Sequence, residues 1–335
     1  MSAKLKNVIT LADLHSAQSQ LQGITVRMPL IEPPQTMWGQ PPSAVQLGEA
    51  RLYLKPENQQ PIGAFKLRGA YNKIASLSDE ERTRGVISYS SGNHAQGVAY
   101  AARSLKTKAI IVMPNNAPAI KRDATAKLGA EIVVVGPGSD ERKAKAEALA
   151  AEHGYVIIPP YNDEKIIAGQ GTIGLEILED LPEVECVLSP VGGGGLISGV
   201  AAAVKLTNPK IKVIGVEPEL AADAKASLRS GKIVQFPAEQ VSRTVADGLR
   251  TQSIGPVNFE HIRAYVDDII TVTEAEILLA MKYLASNPKT IAEPSGAVAT
   301  AGFIFHAMEL PHAKIAVAII SGGNIEPSML EDLRR

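Results

Sequence analysis

The chain has 335 residues, one cysteine and a net charge of −1, from 34 Lys plus Arg and 35 Asp plus Glu. The length predicts about two domains, the single cysteine excludes an intramolecular disulfide, and the balanced charge gives no reason to expect a nucleic-acid partner. The sequence has no apolar run long enough to span a membrane, and its N-terminus lacks the apolar segment of a secretory signal. We therefore predict a cytoplasmic protein without a membrane partner.

Short β-branched segments alternate with longer segments that carry apolar residues at helical spacing. Residues 32–61 are rich in proline and glutamine and predict a loop with short strands near 45–47 and 52–55. A first series predicts strands at 86–90, 109–113, 131–135 and 155–158, with helices at 95–105, 120–128 and 140–153. A second series predicts strands at 186–189, 212–216, 268–272 and 314–321, with helices at 169–179, 197–206, 274–286 and 295–306.

This alternation predicts the α/β fold class, with parallel-rich twisted sheets flanked by helices. No change in composition separates the two series. We therefore expect a small domain of residues 76–159 inserted into a large domain of residues 1–75 and 160–335. In such folds ligands bind in the cleft at the carboxyl ends of the strands.

Lys66 lies among apolar neighbours at the predicted start of a helix. Burial and a helix N-terminus both disfavour the charged ammonium, which lowers the pKa of a lysine and frees its amine to attack a carbonyl group. The segment is equally compatible with an ordinary lysine whose stem packs against apolar residues while its head reaches water.

Two further segments run from a predicted strand into a predicted helix through small residues. Ser90, Ser91 and Asn93 precede one helix, where unpaired backbone N–H groups can bind an anion such as a carboxylate. The alternative there is an ordinary N-cap. Four consecutive glycines at 192–195 precede the other helix and allow the backbone to fold around a phosphate. The alternative there is a plain flexible turn.

The glycine-rich segment also approaches the dinucleotide-binding fingerprint. Gly193, Gly195 and Ser198 nearly match it, and Glu217 stands about where a ribose-binding acid belongs. The match fails at Ser198. An NAD-dependent oxidoreductase therefore stays only as a rival hypothesis.

A fourth segment follows the most apolar predicted strand. It consists of Ser321, two glycines and an asparagine. A hydroxyl at the carboxyl end of a strand can hydrogen-bond a ring nitrogen of a ligand, and the alternative is a simple exit from strand to loop.

The four segments, in this order and with Ala-Glu-Pro-Ser-Gly at 292–296 between the last two, resemble the pyridoxal-phosphate (PLP) enzymes of fold type II, the tryptophan synthase β-like fold. The similarity is greatest to the serine/threonine dehydratase and serine racemase branch. It implies that the large domain binds PLP. The implied cofactor-binding residues are Phe65, Lys66, Asn93, Gly192, Gly193, Gly194, Gly195, Leu196 and Ser321.

The resemblance implies a role for each of these residues. Lys66 would form the imine with PLP and later remove the Cα proton of the substrate. Phe65 would pack near the ring, Asn93 would bond its phenolic oxygen, and residues 192–196 would hold the phosphate. Ser321 would contact the pyridine nitrogen. Because a hydroxyl stabilises a pyridinium less than a carboxylate does, elimination is favoured over transamination.

The implied reaction converts a 3-hydroxy-L-amino acid of the serine or threonine type to a 2-oxo acid and ammonia. Ser90, Ser91 and Asn93 would hold the substrate carboxylate. Ser91 also matches the acid/base of family racemases, which keeps a serine racemase with dehydratase side activity open.

Two residues bear on the substrate. Arg142 aligns with an arginine that relatives direct at a second substrate carboxylate, which makes threo-3-hydroxyaspartate an alternative substrate. Otherwise Arg142 is a solvated residue in the first turn of a helix. Ala64 stands where many relatives have a serine, so the substrate can differ from threonine, and phenylserine is a further alternative.

The segment from Glu217 to Asp223 resembles the divalent-cation site of this branch. The carboxylates of Glu217 and Asp223 and the carbonyl of Ala221 would bind Mg²⁺ or Ca²⁺, which prefer oxygen ligands. Composition alone favours a solvated acidic loop. Relatives are usually dimers, so a homodimer is expected. A non-catalytic sensor on this fold would lack the reactive lysine, and Lys66 is present.

Overall fold

A computed structural model of the chain describes residues 8–34, 50–90, 92–117, 119–136 and 138–334. Ser91 and the predicted short strand at 45–47 lie outside these residues. Within them, no helix combines the length and the apolar character needed to cross a membrane. The described chain forms parallel sheets covered by helices, which confirms the predicted α/β fold class.

The strands are short apolar segments, and their bounds differ from the predicted ones by two residues at most. They are β1 Arg51–Pro56, β2 Val86–Tyr89, β3 Ala109–Pro114, β4 Glu131–Val135, β5 Val156–Ile157, β6 Cys186–Pro190, β7 Lys212–Pro218, β8 Asp268–Val272 and β9 Ile315–Ile320.

Eight helices of the described chain occur where the sequence predicts a helix. Those at the predicted positions are α2 Lys66–Ala75, α4 Asn93–Ser104, α5 Ala119–Lys127, α6 Ser139–His153, α7 Glu164–Asp180, α8 Gly195–Thr207, α12 Glu274–Leu284 and α13 Pro294–Phe305. Six others were not predicted, and they are α1 Leu11–Gln20, α3 Asp79–Arg84, α9 Asp223–Ser230, α10 Ala238–Val241, α11 Pro256–Tyr265 and α14 Pro327–Leu333.

The strands form two sheets. The larger sheet has the strand order β1, β9, β6, β7, β8, and the smaller one has the order β4, β3, β2, β5. Every pairing between these strands is parallel. Each sheet therefore has a single carboxyl edge, where its loops meet. The smaller sheet lies within residues 76–159, and the boundaries of the two predicted domains stay a prediction.

Three helices, α2, α7 and α8, pack with their backbones nearly in contact. A Cβ atom added to Gly169 of α7 would lie 2.7 Å from the carbonyl oxygen of Arg68 in α2. A Cβ atom added to Gly199 of α8 would lie 2.2 Å from the carbonyl oxygen of Ile167 in α7. These glycines allow a close approach that fixes α2, the helix that begins at Lys66.

A buried cluster of charged side chains ties α2 to α7 and to the segment after β1. The guanidinium of Arg68 is paired with Glu57 at 2.8 Å and with Glu176 at 2.7 Å. The ammonium of Lys55 lies 2.6 Å from Glu176 and donates to the carbonyl oxygen of Met28 at 2.9 Å. Two positive groups thus face two negative groups in the interior, so each charge has a partner.

The cluster predicts a large loss of stability when one charge is removed. In the protein without PLP, Arg68→Leu should lower the free energy of unfolding by about 3 to 5 kcal/mol, because two buried carboxylates then share one lysine. Urea unfolding followed by circular dichroism measures this. Arg263→Leu is the matched control, since Arg263 is 49% exposed and lies 3.6 Å from Glu260. It should change stability by about 0.5 kcal/mol or less. Equal small losses in both variants would contradict the prediction.

Candidate active site

Lys66 is the first residue of α2 and lies close to the loop that follows β5. Its Nζ donates to the carbonyl oxygen of Pro160 at 2.7 Å and lies 5.1 Å from the ring centroid of Phe65. The surrounding protein desolvates the amine and lowers the pKa of Lys66 to about 8. Part of the residue stays exposed. A larger fraction of this amine is therefore neutral near pH 7 than for an ordinary lysine, which favours the desolvated alternative over a lysine whose head reaches water.

The segment after β9 pairs with the segment before α2. The backbone N–H of Phe65 donates to the carbonyl oxygen of Ser321 at 3.0 Å, and the N–H of Gly323 donates to the carbonyl oxygen of Gly63 at 2.9 Å. The hydroxyl of Ser321 is buried and donates to the carbonyl oxygen of Ser295 at 3.3 Å. The structure thus brings the first and fourth predicted segments together.

The junction between β2 and α4 has the features of an anion site. Gly92 is the N-cap of α4, and none of the described side chains caps the helix there. The hydroxyl of Ser90 accepts a hydrogen bond from the N–H of Gly92 at 3.3 Å. Ser91 lies outside the described residues. The first N–H groups of α4 are therefore available to an anion.

Asn93, the first residue of α4, is bonded to two residues to which the sequence assigns no role. Its Nδ2 donates to Oε1 of Glu293 at 2.5 Å, and its Oδ1 accepts from Nδ2 of Asn324 at 2.7 Å. Glu293 is buried, and this burial, with the charge of Asp247, raises its pKa to about 7. Both partners lie within motif segments, at 292–296 and at 321–324, and that position was the signal that could have identified them.

Close packing explains the glycines at 193 and 195, and backbone geometry explains the one at 194. A Cβ atom added to Gly193 would lie 2.3 Å from the ring of Tyr161, and one added to Gly195 would lie 2.9 Å from Cβ of Tyr161. Gly194 is the N-cap of α8 and has φ +92°, a left-handed conformation that favours glycine. A plain flexible turn requires none of these contacts.

The backbone of the glycine loop offers donors to a ligand. Within the described residues, the N–H groups of Gly192, Gly193 and Gly194 donate to no other group. Leu196 follows in the first turn of α8, with its side chain buried. Free N–H groups at a helix N-terminus suit a phosphate.

Pro160 and Tyr161 connect the lysine to the glycine loop, because Pro160 accepts from Lys66 and Tyr161 packs on Gly193. Neither residue was predicted from the sequence. Their position directly after a strand of the smaller sheet could have indicated them, since ligands bind at the carboxyl ends of parallel strands. The four predicted segments therefore converge on one place between the sheets.

The hypothesis of a dinucleotide site depends on two residues that form hydrogen bonds within the protein. Ser198 is buried and donates to the carbonyl oxygen of Asn258 at 3.3 Å. The carboxylate of Glu217 accepts from the N–H groups of Ala224 at 3.0 Å and Lys225 at 2.8 Å, so it caps α9. Both oxygens of this buried carboxylate already accept backbone hydrogen bonds, which weakens the support for an NAD-dependent oxidoreductase.

Glu217 and Asp223 form a buried acidic pair, not a solvated loop. Neither carboxylate oxygen of Asp223 makes a well-aligned hydrogen bond with a described residue. The backbone N–H groups of Asp223 and Ile254 lower its pKa, but burial outweighs them and raises that pKa to about 7. Burial and then the charge of Asp223 raise the pKa of Glu217 well above its usual value. Ala221 is buried nearby, at the end of a short 3-10 helix. In the described chain, no group of three or more His, Cys, Asp or Glu side chains could hold a metal.

Arg142 lies in the first turn of α6 and is half-buried. Its Nε donates to the carbonyl oxygen of Gly138 at 3.4 Å, and burial lowers the pKa of its guanidinium. No acidic side chain in the described part of the chain forms an ion pair with it. Arg142 is thus less solvated than a typical surface residue, and α6 begins just beyond the carboxyl edge of the smaller sheet.

The family of pyridoxal-phosphate dependent enzymes matches residues 33–322 of the chain. An L-threonine ammonia-lyase of Thermotoga maritima is 46% identical over 97% of this chain and 78% of the relative. An L-threo-3-hydroxyaspartate ammonia-lyase of Saccharomyces cerevisiae is 45% identical over 83% of this chain and 84% of the relative. A maize serine racemase structure is 35% identical with a TM-score of 0.89, over 97% of this chain and 96% of that one. The chain belongs to the pyridoxal-phosphate dependent enzymes, which confirms the predicted family.

The lowered pKa of Lys66 predicts how the PLP-free protein reacts with PLP. The initial rate of covalent attachment should rise with pH as the free amine forms, with a midpoint near 8 instead of 10.5. Borohydride trapping over a pH series, with the modified peptide identified by mass spectrometry, measures this. Lys66→Ala should lose the trapped peptide. A midpoint near that of an ordinary lysine would show that the amine is not desolvated.

Proposed function

We propose that the chain is a PLP-dependent ammonia-lyase that converts a 3-hydroxy-L-amino acid to a 2-oxo acid and ammonia. One observation carries the proposal. The amine of Lys66, with its pKa lowered to about 8, lies where the segment after β9 and the loop after β5 meet, beside the glycine loop with its free N–H groups. The predicted elimination is the reaction for which the two relatives above are named.

The residues present fit PLP. The unpaired N–H groups of the glycine loop would bind its phosphate, and the amide of Asn93 would bond its phenolic oxygen. Ser321 would donate to the pyridine nitrogen, and Phe65 would pack near the ring. When bound, PLP links to the amine of the substrate and delocalises the electron pair left after loss of the Cα proton.

Lys66 is the proposed base. Its Nζ would take the Cα proton of the substrate, a role that suits an amine with a pKa near 8. Ser90, Ser91 and Asn93 hold the substrate carboxylate at the uncapped N-terminus of α4. Ser321 is a neutral donor, so it leaves the ring a weaker electron sink than a carboxylate would and favours elimination over transamination.

Substrate choice depends on the groups that meet the side chain of the amino acid. Serine and threonine are the first candidates. The half-buried guanidinium of Arg142, with no acidic partner in the described chain, supports threo-3-hydroxyaspartate as a second candidate, as does the 45% identity to a lyase named for it. Ser91 supports racemisation as a side reaction, and phenylserine stays a further alternative.

The buried pair of Glu217 and Asp223, with the carbonyl of Ala221, is the proposed site of a Mg²⁺ or Ca²⁺ ion. The two oxygens of Asp223 support it, because buried carboxylate oxygens without well-aligned hydrogen bonds are costly unless a proton or a cation compensates them. The predicted homodimer and the predicted cytoplasmic location stay predictions.

Release of 2-oxo acid from L-serine, L-threonine, threo-3-hydroxyaspartate and phenylserine tests the reaction, with PLP and Mg²⁺ present. We expect turnover of at least one of them and none by Lys66→Ala. Arg142→Gln should lower kcat/KM for hydroxyaspartate about tenfold to a hundredfold, the effect of losing a charge-assisted bond, and leave serine within about threefold.

Lys143→Gln is the control for Arg142, since Lys143 is the next residue on α6 and its side chain is 56% exposed. This variant should leave kcat/KM unchanged for both hydroxyaspartate and serine. Equal losses for hydroxyaspartate and serine in Arg142→Gln would contradict recognition of a second carboxylate. Absence of any 2-oxo acid from the unmodified enzyme would overturn the proposed reaction.

The cation site predicts a response to metal that depends on Asp223. Mg²⁺ should raise the Tm of the unmodified protein, because an ion that binds only the folded state stabilises it. Asp223→Asn should abolish that rise, whereas Glu219→Gln, an exposed neighbour in the same segment, should keep it. Thermal unfolding with EDTA and with added Mg²⁺ measures both. The same metal response in all three proteins would exclude the site.

A further inference from the structure

The side-chain amide of Asn93 belongs to a chain of hydrogen bonds that starts at the backbone. Nδ2 of Asn324 donates to the carbonyl oxygen of Ile62 at 2.9 Å and to Oδ1 of Asn93 at 2.7 Å. Nδ2 of Asn93 then donates to Oε1 of Glu293 at 2.5 Å. These hydrogen bonds join α4, at the smaller sheet, to the segments of Glu293 and Asn324 beside the larger sheet.

The donors and acceptors in this series of hydrogen bonds can be arranged in one direction only. The carbonyl of Ile62 can only accept, so Asn324 must turn its NH₂ group toward it. The second hydrogen of that NH₂ group goes to Asn93, which must present its oxygen there. The NH₂ group of Asn93 is thereby directed to the other side, where Glu293 uses one of its two hydrogens and leaves one for a ligand.

The surroundings leave little space for another arrangement. Glu293 is 3% exposed, and its Oε2 has no partner among the described residues. A Cβ atom added to Gly322 would lie 2.3 Å from Oε1 of Glu293 and 3.0 Å from Nδ2 of Asn93. A Cβ atom added to Gly63 would lie 2.4 Å from Oδ1 of Asn324. The absence of a side chain at these two glycines therefore leaves the space that the hydrogen-bonded side chains occupy.

We propose that Asn324 and Glu293 are positioning residues that hold the Asn93 amide with an N–H, not its carbonyl, toward the phenolic oxygen of the cofactor. The inference rests on the proposed function, in which Asn93 bonds that oxygen. An inverted amide would set two acceptors against each other, because a carbonyl oxygen and a phenolate oxygen both carry lone pairs. Asn324 acts through Asn93 and touches neither cofactor nor substrate in this proposal.

Two substitutions of Asn324 distinguish a role in orienting the Asn93 amide from a role in packing alone. Asn324→Asp keeps the size but replaces the donor with an acceptor that faces the carbonyl of Ile62 and the oxygen of Asn93, which should invert Asn93. Asn324→Ala removes the donor and leaves Asn93 free to adopt either orientation. We expect the dissociation constant for PLP to rise about tenfold or more in Asn324→Asp and less in Asn324→Ala.

The readouts are equilibrium titration of the PLP-free protein with PLP and the absorption maximum of the bound cofactor, which reports the state of its phenolic oxygen. Asn324→Asp should shift that maximum and Asn324→Ala should shift it less. A role in packing alone predicts the reverse order, because the isosteric variant would then be the milder one. The reverse order, or an unchanged maximum in both, would overturn the proposal.

Glu293→Gln tests the other end of the chain. A glutamine amide can turn either its oxygen or its NH₂ group toward Asn93, so it does not impose a direction. We expect a loss of PLP affinity smaller than that of Asn324→Asp, with the absorption maximum shifted in the same sense. An affinity and a maximum equal to those of the unmodified protein would remove Glu293 from the proposal.

A double-mutant cycle and a control complete the test. In an Asn93→Ala background, Asn324→Asp should weaken PLP binding no further, since no amide remains to be inverted. An additional tenfold loss there would show that Asn324 acts independently of Asn93.

Asn287→Asp is the control, because Oδ1 of Asn287 accepts from the N–H of Lys289 at 2.9 Å and aspartate keeps that acceptor. It should bind PLP like the unmodified protein. Failure of the unmodified protein to bind PLP would overturn the proposed function itself.

Discussion

The active-site region depends on a backbone pairing between two distant parts of the chain. The N–H of Phe65 donates to the carbonyl of Ser321, and the N–H of Gly323 donates to the carbonyl of Gly63. Lys66 follows Phe65 directly and is the first residue of α2, so this pairing determines where its amine lies. The side chain of Asn324 adds a bond to Ile62 across a separation of 262 residues. The site is therefore built only when both parts of the chain have met.

The sequence predicts well what local pattern controls. The strands of the two sheets and eight of the described helices follow from apolar spacing, and the family and the α/β fold class are confirmed. The helix α11, Pro256–Tyr265, was missed because its ten residues mix aromatic, charged and apolar side chains without a strong periodicity. The roles of the predicted site residues stay predictions, although the structure brings Lys66, Ser321 and the glycine loop close to one another.

Contacts between distant residues could not be predicted in the same way. The partners of Arg68 are Glu57 and Glu176, and nothing in the spacing of these residues indicates that they meet. The acidic segment at Glu217 and Asp223 has the composition of a solvated loop, yet both residues are fully buried. In each case burial is decided by the packing of several elements, which a single sequence shows only indirectly.

The order of the strands has a consequence for how this protein is made. β9 is the last described strand in the chain, but it lies between β1 and β6 in the larger sheet. During synthesis from the N-terminus, β1 therefore waits without its sheet neighbour until the chain has emerged through residue 320. Folding of this sheet is dominated by contacts of high sequence separation and is intrinsically slow. Until β9 arrives, β1 and β6 present open edges, which is the interval in which the nascent chain is most exposed to aggregation.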